Sequence, residues 1–319
     1  RLPRQYGVYL LDHGRFMYPE RKINSPTYIN PHSNVMYEMD FMGRVYEVFH
    51  VSGGIHHCLT PRPGTESEWG REVLAAASSL RFRMEDEIIC YDTARGEILE
   101  KWDLGQFFPQ KYLKRKDWAH LNALSCCDRD HVLISLRNLH TIAKLDLAAN
   151  EILWVAAPQD MYEGTELESK MLKPEGEDFH YFFQQHAVEI LHRDQQKETM
   201  SVLIFDNHCT TKRKSRYYDG RQESYGCLYQ IDEREKKIRT VFAIPCELSP
   251  TRSNVHVEPD RESVFTMAGS ADSSEFYDCA YISEWNPQNG ELLSKYTVSE
   301  GFFRAFPIDP MKYLTEEKR

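Results

Sequence analysis

The side chains best suited to chemistry in this sequence are its histidines, thirteen in 319 residues. Three stand in short polar clusters, each followed by a spacer and an apolar, strand-like run. The first cluster is Asp117-Trp118-Ala119-His120-Leu121-Asn122, ahead of Val132 to Leu136 with Arg137-Asn138 behind it. The second is Phe182-Phe183-Gln184-Gln185-His186-Ala187-Val188, ahead of Val202 to Phe205 and Asp206-Asn207-His208. The third is Arg252-Ser253-Asn254-Val255-His256-Val257, ahead of Ser263-Val264-Phe265. Neutral imidazole is a nucleophile near pH 7, and imidazolium is a hydrogen-bond donor and acid. One such histidine is as readily a buried side chain satisfied by backbone. Three at matching places in a repeat read as a site.

Other chemistries lack their residues. No dinucleotide fingerprint, Walker-type loop or Gly-x-Ser-x-Gly elbow is present, which disfavours nucleotide-dependent transferases and serine hydrolases. Asp117 with His120 and Asp206 with His208 are conceivable metal-ligand pairs, but neither forms a zinc signature. Adjacent His56 and His57 on a strand should point to opposite faces. The eight cysteines contain no Cys-x-x-Cys pair, so neither a structural zinc nor a thioredoxin-like site is expected. We therefore expect no metal and no cofactor.

The net charge of −10 argues against nucleic acid as a partner. Two basic runs break the acidic background, Lys111 to Lys116 and Lys212 to Arg216, and each adjoins a histidine cluster. They read as solvated loops or as features that steer an anion. No apolar stretch approaches the ~20 residues of a membrane helix, so no membrane partner is expected. The cysteine pattern favours a reducing, cytoplasmic setting. Because the sequence begins with Arg1, removal of a leader would leave the periplasm or secretion open.

The elements that position these histidines come from a repeat. Five hairpins share an apolar run, an Asp or Asn, a short turn and a returning strand, centred on Asp40, Asp92, Asp146, Asp232 and Asn286. The Asp or Asn side chain starts the turn, and Gly or Asn supplies the positive-φ position before the return. The intervals are 52, 54, 86 and 54 residues, and the long one reads as a repeat carrying an insertion of about 32. A period near 50 with hairpin content is the signature of propeller blades. Dividing the length by the period predicts six. Arg71 to Leu80 suits a short helix or a small-residue strand equally. The expected fold is an all-β, six-bladed β-propeller in a single domain, residues 1–319, its ring closed by the two terminal segments and its site on the central axis.

With those motifs in place, the sequence resembles the arylsulfate sulfotransferase family, the nucleotide-independent bacterial aryl sulfotransferases. The resemblance runs through Gly54-Ile55-His56-His57, the Asp92-Thr93 blade turn, Asp117 to Asn122, Ser135-Leu136-Arg137-Asn138, Gln185-His186, Phe205-Asp206-Asn207 and Phe303-Arg304-Ala305-Phe306. It implies an axial funnel in which a sulfuryl group passes from a phenolic sulfate ester to a phenol through a sulfohistidine. It assigns His256 as nucleophile, with His120, His186 and Arg213 gripping the sulfuryl oxygens. Arg137, Asn122, His208 and His57 are the expected substrate-binding residues. The partners implied are a small phenolic sulfate donor and a phenol acceptor, and a homodimer is allowed. Charge in such a transfer gathers on the equatorial oxygens, so cationic donors and positioning do the catalysis.

Two other readings remain open at this stage. A non-catalytic propeller scaffold predicts histidines that lie apart or pack on backbone. A metal-dependent propeller lyase or hydrolase predicts sensitivity to chelator.

Overall fold

The computed structural model describes residues 9–11, 15–19, 33–65, 71–78, 83–210, 214–258, 262–274 and 277–307. The described residues form twenty β-strands with only short 3-10 turns between them. Blade 1 holds β1 (Tyr9–Leu10), β2 (Arg15–Pro19), β3 (Ser33–Asp40) and the first part of β4 (Val45–Pro61). The long β4 then becomes the first strand of blade 2, pairing β3 at one end and β5 (Glu72–Ala77) at the other. Blade 2 continues through β6 (Glu87–Asp92) and β7 (Glu97–Asp103). Blade 3 is β8 (Leu121–Cys126), β9 (His131–Leu136), β10 (Thr141–Asp146) and β11 (Glu151–Ala156).

Blade 4 is β13 (His186–Asp194), β14 (Thr199–Asp206), β15 (Ser224–Asp232) and β16 (Lys237–Cys246), with β12 (Lys173–Glu175) added in parallel at the edge. Blade 5 is β17 (Asn254–Glu258), β18 (Ser263–Ser274), β19 (Tyr277–Trp285) and β20 (Leu292–Val298). Among the described residues, no blade mixes strands from the two ends of the chain. Arg71 to Leu80 contains the strand β5, not a helix.

The propeller has five blades where six were expected. Each of the five hairpins marks one blade, and the 86-residue interval lies within one step, from blade 3 to blade 4. Among the described residues, its additional length lies in the connections 157–172, 176–185, 207–210 and 214–223 and in the edge strand β12 of blade 4, not in a sixth sheet. Dividing length by period counted loop as blade.

The turns themselves follow the expectation. Asp92 Oδ1 accepts from the amides of Ala94 and Arg95, and Gly96 takes φ +70°. Asp146 accepts from Ala149, Asp232 from Glu235 and Asn286 from Gln288. The side chain caps the turn before the backbone reverses.

The core lies between blades. Buried clusters join blade 1 to 2, 2 to 3, 3 to 4 and 4 to 5. Two tryptophans at matching positions stitch neighbouring blades: Trp102 Nε1 donates to the Leu147 carbonyl, and Trp154 Nε1 to Glu233 Oε1. Gly226 faces blade 5 so closely that a Cβ there would stand 2.6 Å from Thr266 Cγ2. All eight cysteines are free.

Candidate active site

The innermost strands of blades 2, 3, 4 and 5 are β4, β8, β13 and β17, and three of them begin irregularly. Register shifts fall between His56 and Leu59 in β4, between Leu121 and Ala123 in β8, and between His186 and Glu189 in β13. The backbone is left-handed at His57 (φ +54°), His120 (φ +56°) and Ala187 (φ +57°). Such a bulge re-aims a side chain at the cost of local strain, which functional sites commonly carry. β17 pairs with β18 in unbroken register from Asn254 to Glu258.

The bulged starts bring three imidazoles together. The His57 and His120 rings lie 4.9 Å apart, and His120 and His186 6.4 Å apart. His56 joins through a contact of 2.7 Å between its Nδ1 and that of His57. The expectation that these neighbours point to opposite faces is therefore corrected: the left-handed His57 turns both rings to one side.

The protonation states follow from the partners. His120 Nδ1 is 2.5 Å from Glu85 Oε2 and 3.2 Å from Asp117 Oδ1. Burial opposes its charge, but Glu85 and Asp117 together raise His120 to about 9, so it is an imidazolium at neutral pH. Burial works against the Glu85 charge too, yet His120 and His57 hold that carboxyl well below its usual range.

His186 is the opposite case. Burial first, then the positive charges of Arg137, His120 and Arg304, keep it well below the usual histidine range and hence neutral. Its Nδ1 lies 2.7 Å from Asn207 Oδ1. Asn207 Nδ2 donates to the carbonyls of Ser249 and Arg252, which leaves its Oδ1 as the acceptor. His186 Nδ1 must therefore carry the proton, and Nε2 carries the lone pair. The Nε atoms of Arg137 and Arg304 are buried donors with no hydrogen-bond partner among the described residues. Unpaired buried donors of this kind call for a ligand or an ordered water.

The remaining expected residues divide. Arg137 is buried beside the cluster, donating to Asn138 Oδ1 and the Pro250 carbonyl. Asn122 is fully buried, its Nδ2 bonded to the Gln185 carbonyl, and its own carbonyl accepts from Arg304. His256 stands on β17 with its Nε2 3.8 Å from Glu258 Oε2. Among the described residues it makes no ring contact with the other three histidines. His208 belongs to a separate cluster with Asp206, His180 and Asp219. Arg213 lies outside the described residues, although its neighbour Lys214 and Lys111 line one cavity of about 440 Å³, so the two basic runs meet.

Glu85, which sets the charge of His120, was not singled out from the sequence; it lies in an acidic stretch without a motif. Nor was His180, whose partner Asp206 is 26 residues away. The segment Phe302 to Ala305 also reaches the axis: Phe303 packs on His57, and Ala305 and Asn254 exchange two hydrogen bonds. Gly269 admits it, since a Cβ there would lie 2.2 Å from the Phe302 carbonyl oxygen. On the same axis a cavity of about 420 Å³ is lined by Arg304, Glu189, Leu124, Val188, Cys58 and Phe306, among others.

The molecule is thus a five-bladed β-propeller with an imidazole, carboxylate and guanidinium cluster on its axis. A model of the arylsulfotransferase (ASST) family matches residues 5–304, and the chain belongs to that family. No curated protein matches the chain.

Among solved structures, the β-propeller domain of Myceliophteria thermophila Cps50 (Swd1) is similar at TM-score 0.49 and 10% identity, over 91% of this chain and 73% of that one. Hydrazine synthase from Kuenenia stuttgartiensis is similar at TM-score 0.45 and 11% identity, over 89% of this chain and 63% of that one. The chain therefore spans less than two thirds of that relative's length. Virginiamycin B lyase from Staphylococcus aureus is similar at TM-score 0.43 and 12% identity, over 93% and 85%. No function transfers at these distances.

Proposed function

We propose that the protein is an aryl sulfotransferase that moves a sulfuryl group from a phenolic sulfate ester to a phenol in two steps, through a sulfohistidine and without a nucleotide donor. The observation that carries this reading is the pairing of a cationic His120 with a neutral, tautomer-fixed His186 beside the Nε donors of Arg137 and Arg304, which lack partners among the described residues. A sulfate ester is an anion needing donors on its oxygens, and its aryl oxide needs a proton as it leaves.

In the first step the Nε2 lone pair of His186 forms a bond to sulfur while the sulfur–aryl oxygen bond breaks. The departing oxide keeps the electron pair and takes the proton of His120. In the second step the acceptor phenol returns a proton to His120 as its oxygen bonds sulfur and the nitrogen–sulfur bond breaks. The chain ends as it began.

The family resemblance implies His256 as nucleophile. The geometry favours His186, which stands at a bulged strand start within the cluster. Asn207 fixes its tautomer as a second-step partner fixes a catalytic imidazole.

The test is incubation with 4-nitrophenyl sulfate, with and without phenol, followed by intact mass and peptide mapping. Phenol-dependent nitrophenolate release with a sulfate-sized adduct on the His186 peptide supports the whole scheme. An adduct on the His256 peptide keeps the reaction and moves the nucleophile. Absence of release and of adduct across several aryl sulfates refutes the reading and leaves a binding scaffold.

A further inference from the structure

A second histidine cluster, on blade 4, has no part in that scheme. Asp206 ends β14 and is completely buried. Its Oδ2 receives both His180 Nε2, at 2.9 Å, and His208 Nδ1, at 2.8 Å. The three donor atoms lie within 4.8 Å of one another. From the geometry we infer that His180, Asp206 and His208 bind a divalent first-row transition-metal ion.

The far side of each anchored ligand is already held as a metal site requires. Asp206 Oδ1 accepts from the backbone amides of Phe183, at 2.7 Å, and His208, at 2.8 Å, which turns Oδ2 toward the imidazoles. His208 Nε2 lies 2.8 Å from Asp219 Oδ1. That completes a carboxylate–histidine arrangement of the kind that orients metal-bound imidazoles. The rings are packed as well: His180 lies 4.4 Å from the Tyr225 ring, and His208 5.1 Å from that of Tyr218. A left-handed His208 (φ +51°) gives its side chain this direction.

Two imidazoles and a carboxylate without thiolate suit zinc, manganese, iron or cobalt more than a soft monovalent ion. The metal takes the place of the protons that now join the two rings to Asp206. His180 and His208 also line a cavity of about 620 Å³ with Tyr217, Tyr225 and Arg221, so remaining coordination positions face solvent or a small ligand.

The location connects this site to the axis. Asn207, between the ligands Asp206 and His208, is the residue that holds His186 Nδ1. A bound ion fixes both of its neighbours and so holds it in place.

The test uses the full chain, stripped with chelator and desalted, then titrated with Zn²⁺ by calorimetry and assayed for bound metal after gel filtration. One zinc per chain is expected, with Co²⁺ giving visible d–d absorption in its place. His180→Gln and His208→Gln should each weaken binding by ~100-fold or more, and Asp219→Asn by ~10-fold or more, as loss of an outer partner does. His120→Gln should bind zinc as the wild type does. Asp219 is on the rim, so its variant carries the test should a ligand variant not fold. The inference is overturned if no zinc is retained, if zinc is retained equally by the His180, His208 and Asp219 variants, or if only His120→Gln loses it. None of these outcomes depends on sulfotransfer.

Discussion

Two histidine clusters in this molecule use the same residue types to opposite ends. On the axis, His57, His120 and His186 come from three different blades, each aimed by a bulge at the start of an inner strand. At the outer cluster, His180 and His208 both belong to blade 4 and converge on one carboxylate oxygen. The axial group leaves the buried Nε donors of Arg137 and Arg304 without partners among the described residues, a donor capacity that suits an oxyanion. The outer group gathers acceptor capacity at a buried Asp206, which suits a cation. His120 and His208 each meet two carboxylates, so what separates the clusters is the guanidinium groups beside the axial one and the single carboxylate oxygen shared by both outer rings. Asn207 belongs to both, one residue from Asp206 and bonded to His186.

The sharpest way to break the comparison is His186→Ala. Loss of a nucleophile should lower kcat for 4-nitrophenyl sulfate at least ~1000-fold, and a variant within tenfold of wild type would end the role of His186. His120→Gln should cost ~100-fold or more, the scale of one lost preorganised donor. Steady-state rates with aryl sulfates of differing leaving-group pKa check it, since loss of the acid should hurt the poorest leaving groups most.

The pH profile of kcat/KM for the donor tests the two protonation states together. It should fall as pH rises through about 9, where His120 loses its proton, and fall on the acid side only below the ordinary histidine range, where His186 gains one. In His120→Gln the alkaline fall should vanish. The same group makes a stability prediction. The folded pKa of His120 exceeds its unfolded value near 6.5, so its contribution is complete below pH ~6.5 and is lost as pH rises through about 9. Denaturant midpoints across that range would show it.

Smaller effects test the supports. Asn207→Ala removes the bond that fixes the His186 tautomer and should lower kcat ~10-fold, as loss of ~1.4 kcal/mol would, with KM little changed. Gly269→Ala forces the Phe302 backbone off the axis and should destabilise the fold by ~1–3 kcal/mol, read as a lowered denaturant midpoint at constant slope.

Much of this organisation was legible in the sequence. Asp40, Asp92, Asp146, Asp232 and Asn286 each mark a real blade hairpin, because an Asx turn is a local structure written in local residues. That His120 and His186 come together was legible because each stands at the start of an inner strand. Glu85 was not legible, since it reaches His120 from the far end of another blade's loop and no spacing records that contact. The blade number was misjudged because a loop and a strand of equal length look alike to a count of residues.

The sequence by itself determined the all-β class, the repeat, the family and the histidines worth watching, since each rests on periodicity or on short-range turn chemistry. Only the tertiary structure decided which histidines meet and which charge each carries. Bulges at three strand starts set the direction of the side chains. Burial and contacts across the ring set the protonation of His120 and His186. Both are properties of atoms far apart in the chain and close in space.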